Sequence, residues 1–337
     1  MAKNCEIKFR QMIHRKALLF GGDRIIVAAS GGVDSMVLLD LMARLSKSEN
    51  IELSVAHINY GLRGTESDRD EDLVRERCER YGIPCDVLKT RLNNADNLQN
   101  EARRVRYAFF KECAKKRDAN VIATAHHRDD QAETVLMHLM RGAGLQGLCG
   151  MSYADEMDDG TKLIRPMLPL GRDEIAKYAA ERRVRYAEDA TNKETRYNRN
   201  AVRHTLLPAM EEFNPQIRDH LSNMAVRLRE DEEVLASMAG AFCSEHLILR
   251  EPRAETRAPN AVEFSLAEYE RLQPAIRRRV LIAAYEVTAG SRANLNSDQL
   301  QRMDEIAHSA SVQGEYQLPG SYKFERDYNR LRILPPA

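Results

Sequence analysis

Several things are missing from this chain of 337 residues. Tryptophan is absent, which by itself excludes nothing. Cysteine is sparse and scattered: the six stand at positions 5, 78, 85, 113, 149 and 243, with no Cys-x-x-Cys pair. That spread excludes a disulfide framework and matches no zinc or iron–sulfur spacing, so reduced thiols and a cytoplasmic location are expected. No apolar run is long enough to span a bilayer, so no membrane partner is expected, and the first residues lack a signal-peptide pattern. Net charge is zero, with 51 basic and 51 acidic residues. This argues against indiscriminate nucleic-acid binding but leaves room for a local basic face.

What is present is organised around Ala28-Ala29-Ser30-Gly31-Gly32-Val33-Asp34-Ser35. An apolar, β-branched run precedes it and an apolar helical pattern follows, so residues 30–35 form a strand-to-helix turn. Gly31 and Gly32 let the backbone bend and approach a ligand, Ser30 and Ser35 bring hydroxyls, and the N–H groups of the first helical turn favour an anion. This is a phosphate cradle, built from Ala28 to Ser35. It is not a P-loop, since no Gly-Lys-Ser/Thr follows, and it lacks the third glycine of the dinucleotide fingerprint. Asp34 lies inside the cradle, where a polyphosphate would repel it unless a metal lay between. Mg²⁺ bridged through the phosphates is therefore expected there.

The chain in order predicts a helix over 1–23 ending at Gly21-Gly22, strands at 24–28, 52–58, 84–88, 120–125 and 162–168, and helices at 65–82, 98–117, 128–141 and 172–183. Thr65 is the expected N-cap of its helix, with Asp68 three residues on. Strands alternating with helices predict an α/β fold, a doubly wound, mostly parallel sheet covered on both faces. Ligands in such sheets bind at the carboxyl ends of strands, so the cradle, His57 and His126-His127 should converge on one pocket. Residues 1–214 are expected to form this catalytic domain. A long helix at 215–250 connects it to a smaller, mainly helical α+β domain at 251–337, with helices over 266–289 and 297–309 and strands after 314.

Further patterns carry chemistry. In His126-His127-Arg128-Asp129-Asp130-Gln131-Ala132-Glu133-Thr134, Asp130 and Glu133 are one helical turn apart and could together bind a cation. Asp129 suits an N-cap role. The Gly142-Ala143-Gly144-Leu145-Gln146-Gly147 stretch spells a dinucleotide motif but follows a helix, so a flexible turn is expected instead. Basic residues crowd into one window (Arg182, Arg183, Arg185, Lys193, Arg196, Arg199, Arg203) and a second (Arg271, Arg277, Arg278, Arg279). The first is too irregular to be one solvated helix face.

The cradle resembles the pyrophosphate loop of the N-type ATP pyrophosphatases. Three further stretches narrow the resemblance to the tRNA(Ile)-lysidine synthetase family: Ala56-His57-Ile58-Asn59-Tyr60-Gly61-Leu62-Arg63-Gly64, the 123–134 block, and Arg199-Asn200-Ala201-Val202-Arg203-His204. Asn100 to Tyr107 is similar to the family's helix beside the pocket. Tyr60 departs from the usual histidine. Longer members carry a further C-terminal domain. The resemblance implies ATP and Mg²⁺, with no zinc and no cluster. It implies adenylation of O2 of cytidine 34 in an isoleucine tRNA with a CAU anticodon, then attack of free L-lysine on C2 to give lysidine. It assigns ATP contacts to Ala28, Ser30, Gly31, Gly32, Val33, Asp34, Ser35 and His57, and lysine contacts to Asp130 and Glu133. It assigns catalysis to Asp34, Asp130, Glu133, Arg103 and Arg203, and tRNA contacts to Arg106, Arg199, Arg203 and His204. A tRNA thiolase, an AMP-forming amide ligase and a binding module without chemistry are the alternatives. A homodimer is weakly expected.

Overall fold

The computed structural model describes residues 2–61, 64–92, 98–187, 198–250, 261–290 and 295–336. The chain divides into two units, Met1–Arg227 and Leu228–Ala337. Among the described residues no helix is long and apolar enough to cross a membrane.

In the first unit, β1 (Arg24–Ala28), α2 (Val33–Leu45), β2 (Glu52–Asn59), α3 (Thr65–Tyr81), β3 (Cys85–Lys89), α4 (Leu98–Arg117) and β4 (Val121–Ala123) follow α1 (Ala2–Arg15). Then come α5 (Arg128–Met140), α6 (Leu145–Leu148), β5 (Ala154–Glu156), β6 (Lys162–Ile164), α7 (Arg172–Arg182) and α8 (Asn198–Ala201). A π-helical turn, Val202–Leu206, leads into α9 (Leu207–Phe213) and α10 (Ile217–His246). The sheet order is β3-β2-β1-β4-β6-β5, parallel except at β5. β1 lies in the centre, with Val27 level with Val55 on one side and Ala123 on the other.

The period-two alternation of β1 feeds two cores. Ile25 and Val27 pack with α1, α2, α3 and α7, whereas Ile26 packs with Phe109, Phe110 and Cys113 of α4. Right-handed crossovers explain this division. The chain winds from β1 through β2 to β3 with helices on one face, then crosses back to β4 with α4 on the other. The winding direction reverses between β1 and β4, and the carboxyl ends of these two strands flank the crevice where ligands bind in such sheets.

Several expectations need correction. The first helix stops at Arg15, because the backbone turns left-handed at Ala17 (φ 45°). Gly64 (φ 54°), not Thr65, stands at the N-cap of α3, and Asp68 instead accepts a hydrogen bond from Asn59 at 3.0 Å. Strand β5 pairs antiparallel with β6 at the sheet edge, and two of its three residues are exposed acids that carry no strand pattern. Leu62, Arg63, Lys193, Arg196 and the 251–260 linker lie outside the described residues.

The second unit holds an antiparallel sheet in the order β7-β8-β11-β10-β9. Its strands are β7 (Ile248–Arg250), β8 (Ala261–Ser265), β9 (Gln313–Gln317), β10 (Lys323–Asp327) and β11 (Arg330–Leu334). Phe264, Phe324, Leu331 and Ile333 face α11 (Leu266–Glu270), α12 (Pro274–Ala289) and α13 (Ser297–Ala307). The helical stretch at 266–289 breaks before Pro274, which starts α12 where its missing N–H is harmless.

A buried carboxylate staples the first unit. Asp40 of α2 is 2% exposed and accepts from Tyr178 of α7 at 2.6 Å, Arg44 at 2.7 Å, and the Tyr81 hydroxyl of α3. Burial alone would raise its pKa, but these donors hold it below the usual carboxylate range. Replacing Asp40 by alanine removes the acceptor of the Tyr81 hydroxyl and the closer of two acceptors of Tyr178, which is left with Glu6 at 3.4 Å. We predict a loss of about 2–4 kcal/mol in chemical denaturation, whereas Glu76→Ala, at an exposed pair with Arg185, should be near neutral.

Candidate active site

The cradle forms where β1 gives way to α2. Gly31 adopts φ +95°, and a Cβ there would sit 3.3 Å from Cβ of Asp70 on α3, so the position requires glycine both for its backbone and for its close neighbour. Gly32 stands at the N-cap of α2 with no side-chain cap. The first-turn N–H groups of Val33, Asp34 and Ser35 are thus left for an anion. The serines mainly fold the loop on itself. Ser35 Oγ accepts from the Ser30 N–H at 3.0 Å and pairs with Ser30 Oγ at 3.1 Å, while donating to the Gly32 carbonyl at 2.9 Å. Asp34 Oδ1 is buried without a hydrogen-bond partner. A buried, unsatisfied carboxylate oxygen beside a phosphate cradle fits a divalent cation.

The loop after β4 meets the cradle through His127. This residue is 3% exposed and caps α5. Its Nε2 lies 3.6 Å from Asp34 and 3.5 Å from Asp130, and Nδ1 lies 3.6 Å from Asp129. Burial would lower its pKa, but the surrounding carboxylates push it up to about 10, which favours the charged ring. Nδ1 also faces the Asp129 N–H at 3.2 Å, a cap only the neutral ring can make, so charging the ring exchanges that cap for the carboxylates. His126 behaves oppositely. Burial, reinforced by Arg165, Arg199 and Arg106, brings it down to about 4 against the pull of Asp130, and it stays neutral beside Thr124.

Asp130 and Glu133 do share a face of α5, and two arginines occupy them. Arg199 bonds Glu133 at 2.8 Å and Asp130 at 3.3 Å. Arg203 bonds Glu133 at 2.5 and 3.0 Å and Asp130 at 3.1 Å. Glu133 is fully buried and both its oxygens are engaged. Asp130 closes the capping box with its other oxygen, accepting from the His127 N–H at 3.0 Å. Burial opposes its ionisation, but His127 and Arg199 outweigh that and hold its pKa low. Arg218 of α10 adds a contact to Asp129 at 3.4 Å. Four carboxylates thus face three guanidiniums and one histidine ring.

The remaining expected residues surround this core. Ala28 ends β1 opposite Ala56. His57, at the end of β2 and 2% exposed, faces the Ala29 carbonyl through Nδ1 at 2.9 Å. Its Nε2 has no partner, and burial keeps the ring neutral. Tyr60 donates its hydroxyl to the Ala102 carbonyl at 3.1 Å, fixing the β2 loop to α4. Arg103 and Arg106 are exposed on α4; Arg103 stacks on Tyr107 at 5.1 Å, while Arg106 is one of the charges acting on His126. His204 is exposed. The first basic window divides into separate tasks: among its described residues Arg182 pairs with Glu6, Arg185 with Glu76, and Arg199 and Arg203 reach the site. The 142–147 stretch forms a turn with Gly142 left-handed (φ 72°) and Gly144 capping α6. The sequence reading brought His127 to the pocket without giving it a role, and it missed Arg218. The position of His127 after β4, two residues before the Asp129-Asp130 pair at a helix start, was the signal for it; nothing local marks Arg218.

Glu71 steadies the β2 loop. It accepts from Asn59 at 3.1 Å, Arg75 at 3.0 Å and Lys89 at 3.0 Å. Burial would raise its pKa, but these donors bring it down from 4.5 to about 2. A depressed carboxylate contributes stability above its unfolded pKa that is lost as pH falls through the folded one. Glu71→Gln should therefore be less stable than the parent at pH 7, with the gap closing between about pH 4.5 and 2 in pH-resolved denaturation.

The PP-loop domain family matches residues 1–210. The chain is 33% identical over 329 residues to the tRNA(Ile)-lysidine synthase of Geobacter sulfurreducens, covering 92% of this chain and 64% of that protein. It is 39% identical over 236 residues to that of Chlorobaculum tepidum (68% and 70%) and 32% identical over 343 residues to that of Porphyromonas gingivalis (97% and 67%). The chain thus spans about two thirds of the length of these curated relatives. Among solved structures it is similar in fold to the U34-tRNA thiolase NcsA from Methanococcus maripaludis, with a TM-score of 0.58 at 21% identity, covering 68% of this chain and 78% of that one. A glycine cradle on β1 facing an acid-bearing helix after β4, together with these identities over most of the chain, places it in the PP-loop family and, within it, among the tRNA(Ile)-lysidine synthases.

Proposed function

We propose that this chain ligates L-lysine to C2 of the wobble cytidine of a CAU-anticodon isoleucine tRNA, using ATP in the cytoplasm. The observation that carries this is the meeting, at one switch point, of an open anion cradle with a cation-and-carboxylate cluster. In the first half-reaction, O2 of cytidine attacks the α-phosphate and the bond to the β-phosphate breaks. In the second, the ε-amine of lysine attacks C2, the C2–O bond breaks with AMP leaving, and the amine loses its protons to solvent or a nearby base.

The cradle amides of Val33 to Ser35 would hold the departing pyrophosphate. Asp34, through its unpartnered Oδ1, is the residue to hold Mg²⁺, which when bound neutralises phosphate charge. The carboxylates of the cluster are already paired with its arginines, so a triphosphate adds negative charge that added cations offset. A metal and the lysine amine supply them. The amine must react neutral, and deprotonating free lysine costs about 4.6 kcal/mol at pH 7. Arg199 and Arg203 beside the same carboxylates favour its neutral form by like-charge repulsion. Asp130, held below the usual range, is a weak base and better suited to hold the ammonium than to take its proton. Buried Glu133 would act by aiming the two arginines. Arg103, Arg106 and His204, exposed nearby, are offered as RNA contacts.

The test supplies ATP, radiolabelled lysine and a CAU-anticodon tRNA and counts label in the RNA. Lysine-dependent labelling with release of AMP is the expected result. Asp34→Ala and Asp130→Ala should each reduce it at least 100-fold with the thermal transition retained, in line with the loss of an electrostatic catalytic contact of roughly 3 kcal/mol or more. No label with the parent protein would sink the proposal, and full activity in either variant would remove that residue from it.

A further inference from the structure

The face of α5 that carries Asp130 and Glu133 does not end there. It continues through Met137 to Met140 and Arg141, the helical neighbours one and two turns on. There the surface opens into a cleft of about 480 Å³. Its opposite wall comes from the π-helical turn and α9, with Val202, Thr205, Leu206 and Ala209. The same turn sends Arg203 to Glu133, so one wall of the cleft is continuous with the arginine cluster of the site. π-Helical turns are rare and gather at functional sites, where they re-aim side chains.

The chemistry of the cleft is specific. Its walls are mostly apolar, yet they are open to solvent: Met140 is 58% exposed and its neighbour Leu139 54%. Thr205 and Ala209 are exposed as well. An exposed apolar recess calls for an occupant. Its polar groups are the Thr205 hydroxyl and, at the rim, the Arg141 guanidinium, and no acidic side chain lines it. A planar apolar ring with a hydrogen-bonding edge, attached to a polyanion, matches that lining. Arginine stacks on bases and pairs with phosphate alike. From Glu133 to Met140 the helix rises about 10 Å, more than two stacked nucleotide steps of about 3.4 Å but within reach of one or two unstacked, extended nucleotides.

We propose that this cleft binds a second, unpaired base of the RNA substrate, one or two nucleotides from the base that reacts. The cleft would hold that base unstacked, and so hold the loop open for the reacting base to enter the arginine cluster. The proposal rests on the reading of this chain as an enzyme acting on RNA.

The test uses the full chain and a fluorescein-labelled hairpin of the anticodon stem and loop, with binding read by anisotropy. Abasic sites are placed one at a time at loop positions other than the wobble cytidine. One position should weaken binding about 10-fold, as loss of a stacked base does. Ala209→Trp, a substitution at an exposed position that fills the cleft, should weaken the intact hairpin by a similar factor. The sensitive abasic hairpin should then bind that variant no worse than the intact hairpin does. Thr205→Val, nearly isosteric, should relax discrimination at the same position with a smaller overall loss. Independent, multiplicative losses, or equal effects at all loop positions, would overturn the proposal. So would unchanged hairpin affinity in Ala209→Trp, including the case where sedimentation shows that the variant has lost a dimer and the cleft is a protein interface. Base-dependent binding without lysine incorporation by the parent would retain the cleft and refute the ligase reading. Incorporation with no effect of either cleft variant would do the reverse.

Discussion

The arrangement depends on one buried histidine set between two carboxylates. His127 stands between Asp34, on the loop after β1, and Asp130, at the start of the helix after β4. These loops come from adjacent strands whose connections diverge to opposite sides of the sheet, so no backbone pairing joins them past the strand ends. Two carboxylates brought this close in a buried place repel each other, and an intervening cation turns the repulsion into attraction. The acids around His127 favour its charged form against the cost of burial, and His127 in turn helps hold the pKa of Asp130 low. Removing either side leaves the other uncompensated.

A second consequence is economy of position. Helix α5 presents Asp130 to the cradle side, Glu133 to the arginines and Met137 to the apolar cleft, along a single face. The arginines come from a segment some 70 residues later in the chain, and their long side chains are fixed by a fully buried acid. A guanidinium aimed in this way needs little further ordering when a phosphate or a base arrives. Motif residues that look like separate ligand contacts in the sequence are thus partly contacts to one another.

How much of this was legible in the sequence follows from the range of the interactions. The cradle, β1, α4 and the acidic start of α5 rest on local rules: period, glycine, and spacing along a helix. They read out directly, and the bounds of α4 are those its composition predicts. The pairing of Asp130 and Glu133 on one face was legible for the same reason. Their occupation by Arg199 and Arg203 was not, because it depends on a chain reversal that no local pattern encodes. The irregular spacing of the first basic window was legible but the partners were not: Arg182 turns to Glu6, Arg185 to Glu76, and Arg199 and Arg203 to the site. Strand β5 and the π-helical turn escaped notice since both are set by neighbours and not by propensity.

The central claim is that the turn from Ser30 to Ser35 grips the phosphate tail of ATP within reach of the His127 bridge. The most direct measurement is a crystal structure of the full chain with Mg²⁺ and a non-hydrolysable ATP analogue. The account predicts the terminal phosphates at hydrogen-bond distance, about 2.7–3.2 Å, from the amides of Val33 to Ser35, with the cation against Asp34. A nucleotide seated elsewhere, or a triphosphate turned away from Asp34 and His127, would contradict it.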